Sequence, residues 1–253
     1  MTTPAGSITG ADATTPLATA LSGHYNSLHA VSEAIVHQSL AEPNGSRLAL
    51  RHAVIGDLAK WLEVLKDRRE SALLQSAARE YQFALYALSS GHYRQAFALL
   101  RLFFELTMAG LFYSAHQIFL LEWLAGKRDN NWRKITQSKT GIFTVRFARL
   151  FSCDELCEEL SQYSALASKI YRECSEFVHG NIESSERLPH ELAFSQDLFD
   201  AWQERAQTAW LVASYFLYMR YGRELTSAQR HIMELTILDQ LGHLATVRAD
   251  FSA

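Results

Sequence analysis

The amino-acid sequence predicts an all-α protein: a single helical-bundle domain of about seven to nine helices with a long apolar helix at its centre. Three observations predict it. The four prolines are Pro4, Pro16, Pro43 and Pro189, so the interior from Asn44 to Leu188 is proline-free, and it is rich in Ala, Leu, Glu, Gln and Arg, residues that favour helix. Apolar side chains recur at intervals of three and four residues in one segment after another, which puts them on one helical face. No run alternates apolar and polar residues into an Asn-Gly or Asp-Gly turn, the pattern of a hairpin. With 253 residues, 48% of them hydrophobic and 20% charged, the chain is long enough to bury a substantial core.

In chain order, the first sixteen residues, MTTPAGSITGADATTP, are small and polar, with no basic stretch leading into an apolar one. They read as a disordered tail rather than a signal peptide, and the domain occupies 17–250. Its first helix runs from Leu17 to about Ala41, with Leu17, Leu21, Leu28, Val31, Ile35 and Val36 as the stripe expected to face the core; Glu42-Pro43-Asn44-Gly45 ends it. Ser46 is placed to cap a second helix, about Arg47 to Lys66, carrying Leu50, Val54, Leu58, Trp61, Leu62 and Leu65. A third covers about Ser71 to Ser89 and turns at Ser90-Gly91.

The fourth helix, His92 to about Ala125, is apolar nearly all round (Phe97, Leu100, Phe103, Phe104, Leu111, Phe112, Ile118 and Phe119), which marks a central buried helix. The segment Tyr86 to Ala96 has the small and aromatic residues of a tetratricopeptide turn, but nothing recurs at about 34 residues, so a repeat array is not expected. Gly126 to Asn131 form a loop, followed by Trp132 and a basic segment through Lys139. Shorter helices follow at about Ile142 to Phe151 and Asp154 to His179. After a polar linker containing Pro189, helices at Ser195 to about Tyr221 and Ser227 to about Thr246 close the chain.

Composition narrows the function classes. A net charge of −3 and a pI near 6.4 provide no global basic field of the kind that coats nucleic acid. Three cysteines, Cys153, Cys157 and Cys174, without a secretory signal suit a reducing, cytoplasmic setting. Cys153 and Cys157 share a helix face, but no second Cys/His pair has zinc-ligand spacing, so buried thiols are expected and no metal. The most apolar window, Leu99 to Leu124, is interrupted by Arg101, Glu105, His116 and Glu122, so no membrane span is expected. A Walker loop, a dinucleotide fingerprint, HExxH and a nucleophile elbow are all absent, which removes the usual support for phosphotransfer, hydride transfer and serine hydrolysis. No cofactor is expected.

One stretch concentrates chemistry: Ile170-Tyr171-Arg172-Glu173-Cys174-Ser175-Glu176-Phe177-Val178-His179-Gly180-Asn181. It reads as the last turns of a helix ended by Gly180, a residue suited to a left-handed cap. Seven residues come to within about 20° of whole turns, so Arg172 and His179 share a face, with Glu176 nearby. Ser175, Glu176 and Asn181 are candidate orienting neighbours. Arg101 and Glu105, an i,i+4 pair within the most apolar helix, are expected to form an ion pair, because a buried charge needs a partner; they are candidate supports if they face Arg172 and His179. Lys127, Arg128, Arg133, Lys134 and Lys139 with Trp132 are candidates to hold a nucleic-acid backbone while Trp132 stacks on a base, or else form a solvated loop.

An Arg followed by six residues and a His at a helix end resembles the motif of the HEPN superfamily, and Gly91 to Glu105, with Ala96, Leu99, Leu100, Arg101 and Glu105, resembles a long helix of some members. The resemblance covers about a third of the chain and is of superfamily grade. It implies an all-α fold, a homodimer or pseudo-dimer, and a ribonuclease centre formed by Arg172 and His179. It further implies a toxin or phage-defence effector held in check by a protein regulator or antitoxin. At the position after the Arg, where active members commonly have Asn, Asp or His, this chain has Glu173.

The chemistry stands without the family. A 2′-hydroxyl can attack its neighbouring phosphate without metal or protein nucleophile. An imidazole, with an ordinary pKa of about 6.5, can accept or deliver the proton, and a guanidinium grips phosphate oxygens through paired donors. The alternative is equally concrete: a non-catalytic helical interaction or regulatory module in which Arg172 pairs with Glu176 at i,i+4 and His179 bonds a carbonyl beside the cap.

Overall fold

The structure, a computed structural model, describes residues 14–180 and 182–252, with only the backbone of 14, 15 and 183. Among these residues the chain is all-α, without strands. The helices are α1 (Thr14–Leu40), α2 (Asn44–Val64), α3 (Ser71–Ser89), α4 (Tyr93–Ser114), α5 (Gln117–Leu124), α6 (Trp132–Ile135), α7 (Val145–Phe151), α8 (Asp154–Val178), α9 (Ile182–Glu186), α10 (Gln196–Tyr221), α11 (Ser227–Leu241) and α12 (Ala245–Phe251). They exceed the expected number because several are one or two turns long. Residues 1–13 of the expected tail lie outside the described residues, and α1 already includes Thr14 to Pro16.

The centre is α4, packed against α3, α8 and α10. Phe97, Leu100, Phe103, Phe104, Met108 and Ala109 of α4 are fully buried. Trp202 of α10 donates its indole N–H to the Ala96 carbonyl at 3.0 Å, so the largest ring in that layer is buried without an unpaired donor. By length and composition α4 passes as a membrane-crossing helix, the one such helix among the described residues, yet 72% of its most apolar window is buried inside the molecule. Its apolar surface is spent on its neighbours.

The α3–α4 hairpin turns at Gly91, whose φ of +81° lies in the left-handed region that favours glycine. An added Cβ there would also meet Ile35 Cδ1 at 2.8 Å. The turn is thus where α1 docks: Ile35 is buried, Ser32 Oγ donates to the Ser90 carbonyl and Ser39 Oγ to that of Ser89.

Several expectations are corrected. The fourth helix does not run to Ala125; it stops at Ser114, where His116 Nδ1–H donates to the Phe112 carbonyl at 2.8 Å and the ring stacks on Phe112. That bond takes a carbonyl from the helix ladder, and the chain restarts as α5 with Ile118 exposed. Ser46 is not a cap; α2 begins at Asn44, and Ser46 Oγ donates to the Glu42 carboxylate. The stripe of the first helix does not face the core: Leu17, Leu21, Leu28 and Val31 are all exposed, and burial begins only at Ile35, with Val36 half-buried.

Candidate functional site

Helix α8 positions the site through a regular pattern. Leu156, Leu160, Tyr163, Ala167, Ile170, Cys174 and Phe177 are its buried residues, at alternating four- and three-residue steps that hold one stripe against α4 and α10. Asp154 and Glu155 in the first turn complement the positive end of the helix. At the other end Phe177 stacks on Phe97 with ring centroids 4.0 Å apart and planes 6° apart, which pins the last turn to α4.

The last turn is closed by groups from three elements. The His179 N–H donates to the Ser175 carbonyl at 3.1 Å, and Gly180 follows at φ +65°, the left-handed cap expected of it. Arg94 of α4 donates from Nη1 to the Phe177 carbonyl and from Nη2 to Ser185 Oγ, both at 3.3 Å. Ser184 of α9 donates to the Glu176 carbonyl at 2.9 Å. These bonds satisfy carbonyls that a helix end leaves unpaired and fix the backbone that carries His179.

Arg172, Glu176 and His179 all lie on the exposed face opposite the buried stripe. Among the described residues neither Arg172 nor His179 has a side-chain hydrogen bond or ion pair, and Arg172 does not pair with Glu176. Glu173 turns the other way. Its carboxylate lies 3.1 Å from Arg205 Nε of α10 and 3.8 Å from Lys169 Nζ. The residue that departs from the family pattern therefore belongs to the α8–α10 seam and not to the Arg172–His179 face.

The supporting residues separate. Ser175 Oγ donates back to the Tyr171 carbonyl at 2.5 Å, so it does not orient His179. Asn181 lies outside the described residues. Arg101 and Glu105 form the expected pair, at 3.4 Å, but they meet Tyr171: Arg101 Nη2 donates to its hydroxyl at 2.7 Å and the guanidinium lies over its ring. Burial raises the Glu105 carboxyl above its ordinary value, and Arg101 opposes that rise. The pair supports α8 one residue from Arg172, on a different side of the helix.

Trp132 of the basic segment is engaged within the fold. Trp132 stacks on Tyr171 at 4.0 Å with planes 1° apart and meets Phe104 and Phe143; its face is already occupied by protein. Arg128 pairs with Glu122 at 2.6 Å over the Phe119 ring. Lys127, Arg133, Lys134 and Lys139 are exposed. A lone stacking partner and a sequence neighbour look the same in one dimension.

Two cations at the site escaped the sequence reading: Arg94, and the exposed Arg187, whose guanidinium lies 6.0 Å from the Phe177 ring. They add positive charge to that of Arg172 at the end of α8, where Glu176 shares the exposed face. No local signal marks Arg94, because the bond to Phe177 spans 83 positions. Two clefts, each of about 200 Å³, lie elsewhere, one beside His116 and Arg146 and one beside Lys169, Glu173 and Arg205. Neither is lined by Arg172 or His179, both of which are exposed. Among the described residues no group of three or more His, Cys, Asp or Glu is gathered to hold a metal. Comparison of the chain with protein-family models, curated proteins and solved structures finds no match.

Proposed function

We propose that this chain is a HEPN-like, metal-independent endoribonuclease of the cytoplasm, a toxin or phage-defence effector whose Arg172 holds the scissile phosphate and whose His179 moves the proton. The observation that carries this reading is the pair itself: a guanidinium and an imidazole, exposed and unpaired among the described residues, on one face of a helix end clamped by Arg94, Ser184 and Phe97. A group engaged in structure is usually paired; these two are left available beside a backbone that the clamp holds. Arg94 and Arg187 add positive charge beside them, which suits an RNA backbone.

In the reaction the ribose 2′-oxygen attacks phosphorus, the 2′ proton passes to a neutral imidazole, and the bond from phosphorus to the 5′-oxygen breaks. That oxygen takes a proton from an imidazolium, leaving a cyclic 2′,3′-phosphate and a free 5′-hydroxyl. Arg172 stabilises the charge gathering on the phosphoryl oxygens. One His per copy serves one proton at a time; a homodimer supplies an imidazole for each, and a protein regulator or antitoxin that covers this face would silence it.

The test is incubation of the purified chain with tRNA and with total RNA in excess chelator. Cleavage to 5′-hydroxyl products is expected, with His179→Ala and Arg172→Ala each slower by about 100-fold or more and each unfolding within about 0.5 kcal/mol of the parent, since both side chains are exposed. The second reading, a non-catalytic interaction or regulatory module, is favoured by the exposed apolar stripe of α1. It predicts intact RNA and no loss of function in either variant.

A further inference from the structure

We infer that α1 is a self-association arm: residues 16–31 pair with the same segment of a second copy of this chain. Every residue from Pro16 to Val31 is exposed. The segment is about 24 Å long at 1.5 Å per residue, and its chain-mates bury none of it. Yet its apolar residues are ordered. Leu17 (75% exposed), Leu21 (57%), Leu28 (39%) and Val31 (39%) continue to the buried Ile35 with His24 and Tyr25 between, at steps of four, three, four, three and four. This is the seam of a two-stranded coiled coil, and it continues without a break into the stripe that docks on the α3–α4 turn.

A helix of this kind has little reason to stand alone in water. It contains Gly23, whose missing side chain nothing approaches within 4 Å, so the glycine weakens the helix without serving a close contact. No pair of opposite charges braces it, because Glu33 is its single Asp, Glu, Lys or Arg. Helices of about this length are marginal in isolation, and their stability comes from packing an apolar face.

Charge selects the occupant. With no Lys or Arg the arm has nothing to offer an anionic lipid surface or a nucleic acid, and Glu33, two residues beyond it, is too little to choose a basic partner. For a second copy the same poverty is an advantage: two identical stripes meet with no like charges along the exposed seam. A seam about 24 Å long and one helix wide, roughly 10 Å, lies below the interface of a tight complex, so the expected dimer is micromolar. The arm leaves the body at the Gly91 turn, the end of the bundle where Arg94 reaches α8. It would supply the second copy invoked for Arg172 and His179, but it does not rest on that reading.

The experiment is sedimentation equilibrium of the full chain from about 1 to about 200 µM, the range in which a micromolar dimer forms. The parent's mass is expected to rise from 28.6 kDa toward twice that value. Leu21→Lys/Leu28→Lys is expected to stay largely monomeric over the whole range, with its dissociation constant raised at least about 1,000-fold and helix content of the body retained, since both positions are exposed. An equimolar mixture of that variant with Leu21→Glu/Leu28→Glu is expected to regain the dimer. A parent that remains at 28.6 kDa throughout overturns the inference, whether or not it pellets with phosphatidylcholine vesicles. So does a double-lysine variant that dimerises like the parent. RNA cleavage by a monomer would leave the catalytic reading standing while this one falls.

Discussion

Helices α1 and α8 have the same apolar spacing and opposite fates. Both step by fours and threes along one face. In α8 every member from Leu156 to Phe177 is buried; in α1 the members from Leu17 to Val31 are exposed. Their other faces differ as well. α8 has eight charged residues, among them Lys169, Arg172, Glu173 and Glu176, whereas α1 has Glu33 alone. A charged outer face is suited to water, so α8 is complete once its stripe meets α4 and α10. The outer face of α1 is polar but nearly uncharged, with Ser22, Asn26 and His29, and its stripe is left uncovered. Apolar spacing reports that a helix has a face to bury; the rest of its composition reports whether its own chain finishes the task.

The largest expected effect lies in the covered stripe. Phe177→Ala removes a ring stacked on Phe97 and is expected to destabilise the fold by about 3–5 kcal/mol in urea unfolding. If it costs less than about 1 kcal/mol, the stack does not pin the end of α8, and the contrast with α1 loses its energetic basis. Cys174 sharpens the contrast through chemistry. Burial pushes its thiol up to about 12, so at pH 8 almost none is thiolate, the reactive form. A folded-state value raised in this way favours the fold at lower pH, and the benefit is lost as pH climbs from the unfolded value toward the folded one. In native protein at pH 8, mass mapping of iodoacetamide adducts is expected to show Cys174 reacting about 1,000-fold more slowly than a cysteine introduced by Leu21→Cys.

The smallest effect is at the cap. Gly180 is left-handed, and an added Cβ there would find open room, with Arg94 Nη1 nearest at 3.8 Å. Gly180→Ala is therefore a backbone test, expected to cost about 1–2 kcal/mol through conformation alone. Thermal unfolding measures it. If the site reading is right, RNA cleavage falls with the cap, because His179 is the residue that precedes the turn; unchanged cleavage with lowered stability would separate the cap from the chemistry.

Much of the fold was legible. The bounds of α3, the buried character of α4, the start of α8 and the stop at Gly180 follow from local signals: proline placement, three-four spacing and a glycine after the last periodic residue. The exposure of Arg172 and His179 was half legible, since helical phase opposes them to Ile170, Cys174 and Phe177. The break at His116 was not, because a histidine that takes a carbonyl four residues back looks like any other helix residue. Nor was the fate of Trp132. Its basic neighbours suggested a nucleic-acid platform, while the ring spends its face on Tyr171, 39 positions along the chain.

By itself, then, the sequence determined the class, the helices with strong periodicity and the face on which Arg172 and His179 stand, because each depends on residues within a few turns of one another. Tertiary structure decided what lies across from each face. It gave Glu173 to Arg205, Arg101 to Tyr171 and Arg94 to the last carbonyls of α8, and it left the stripe of α1 uncovered. Those outcomes depend on pairings over tens of positions, where burial, charge and shape are settled jointly and no local spacing records the partner.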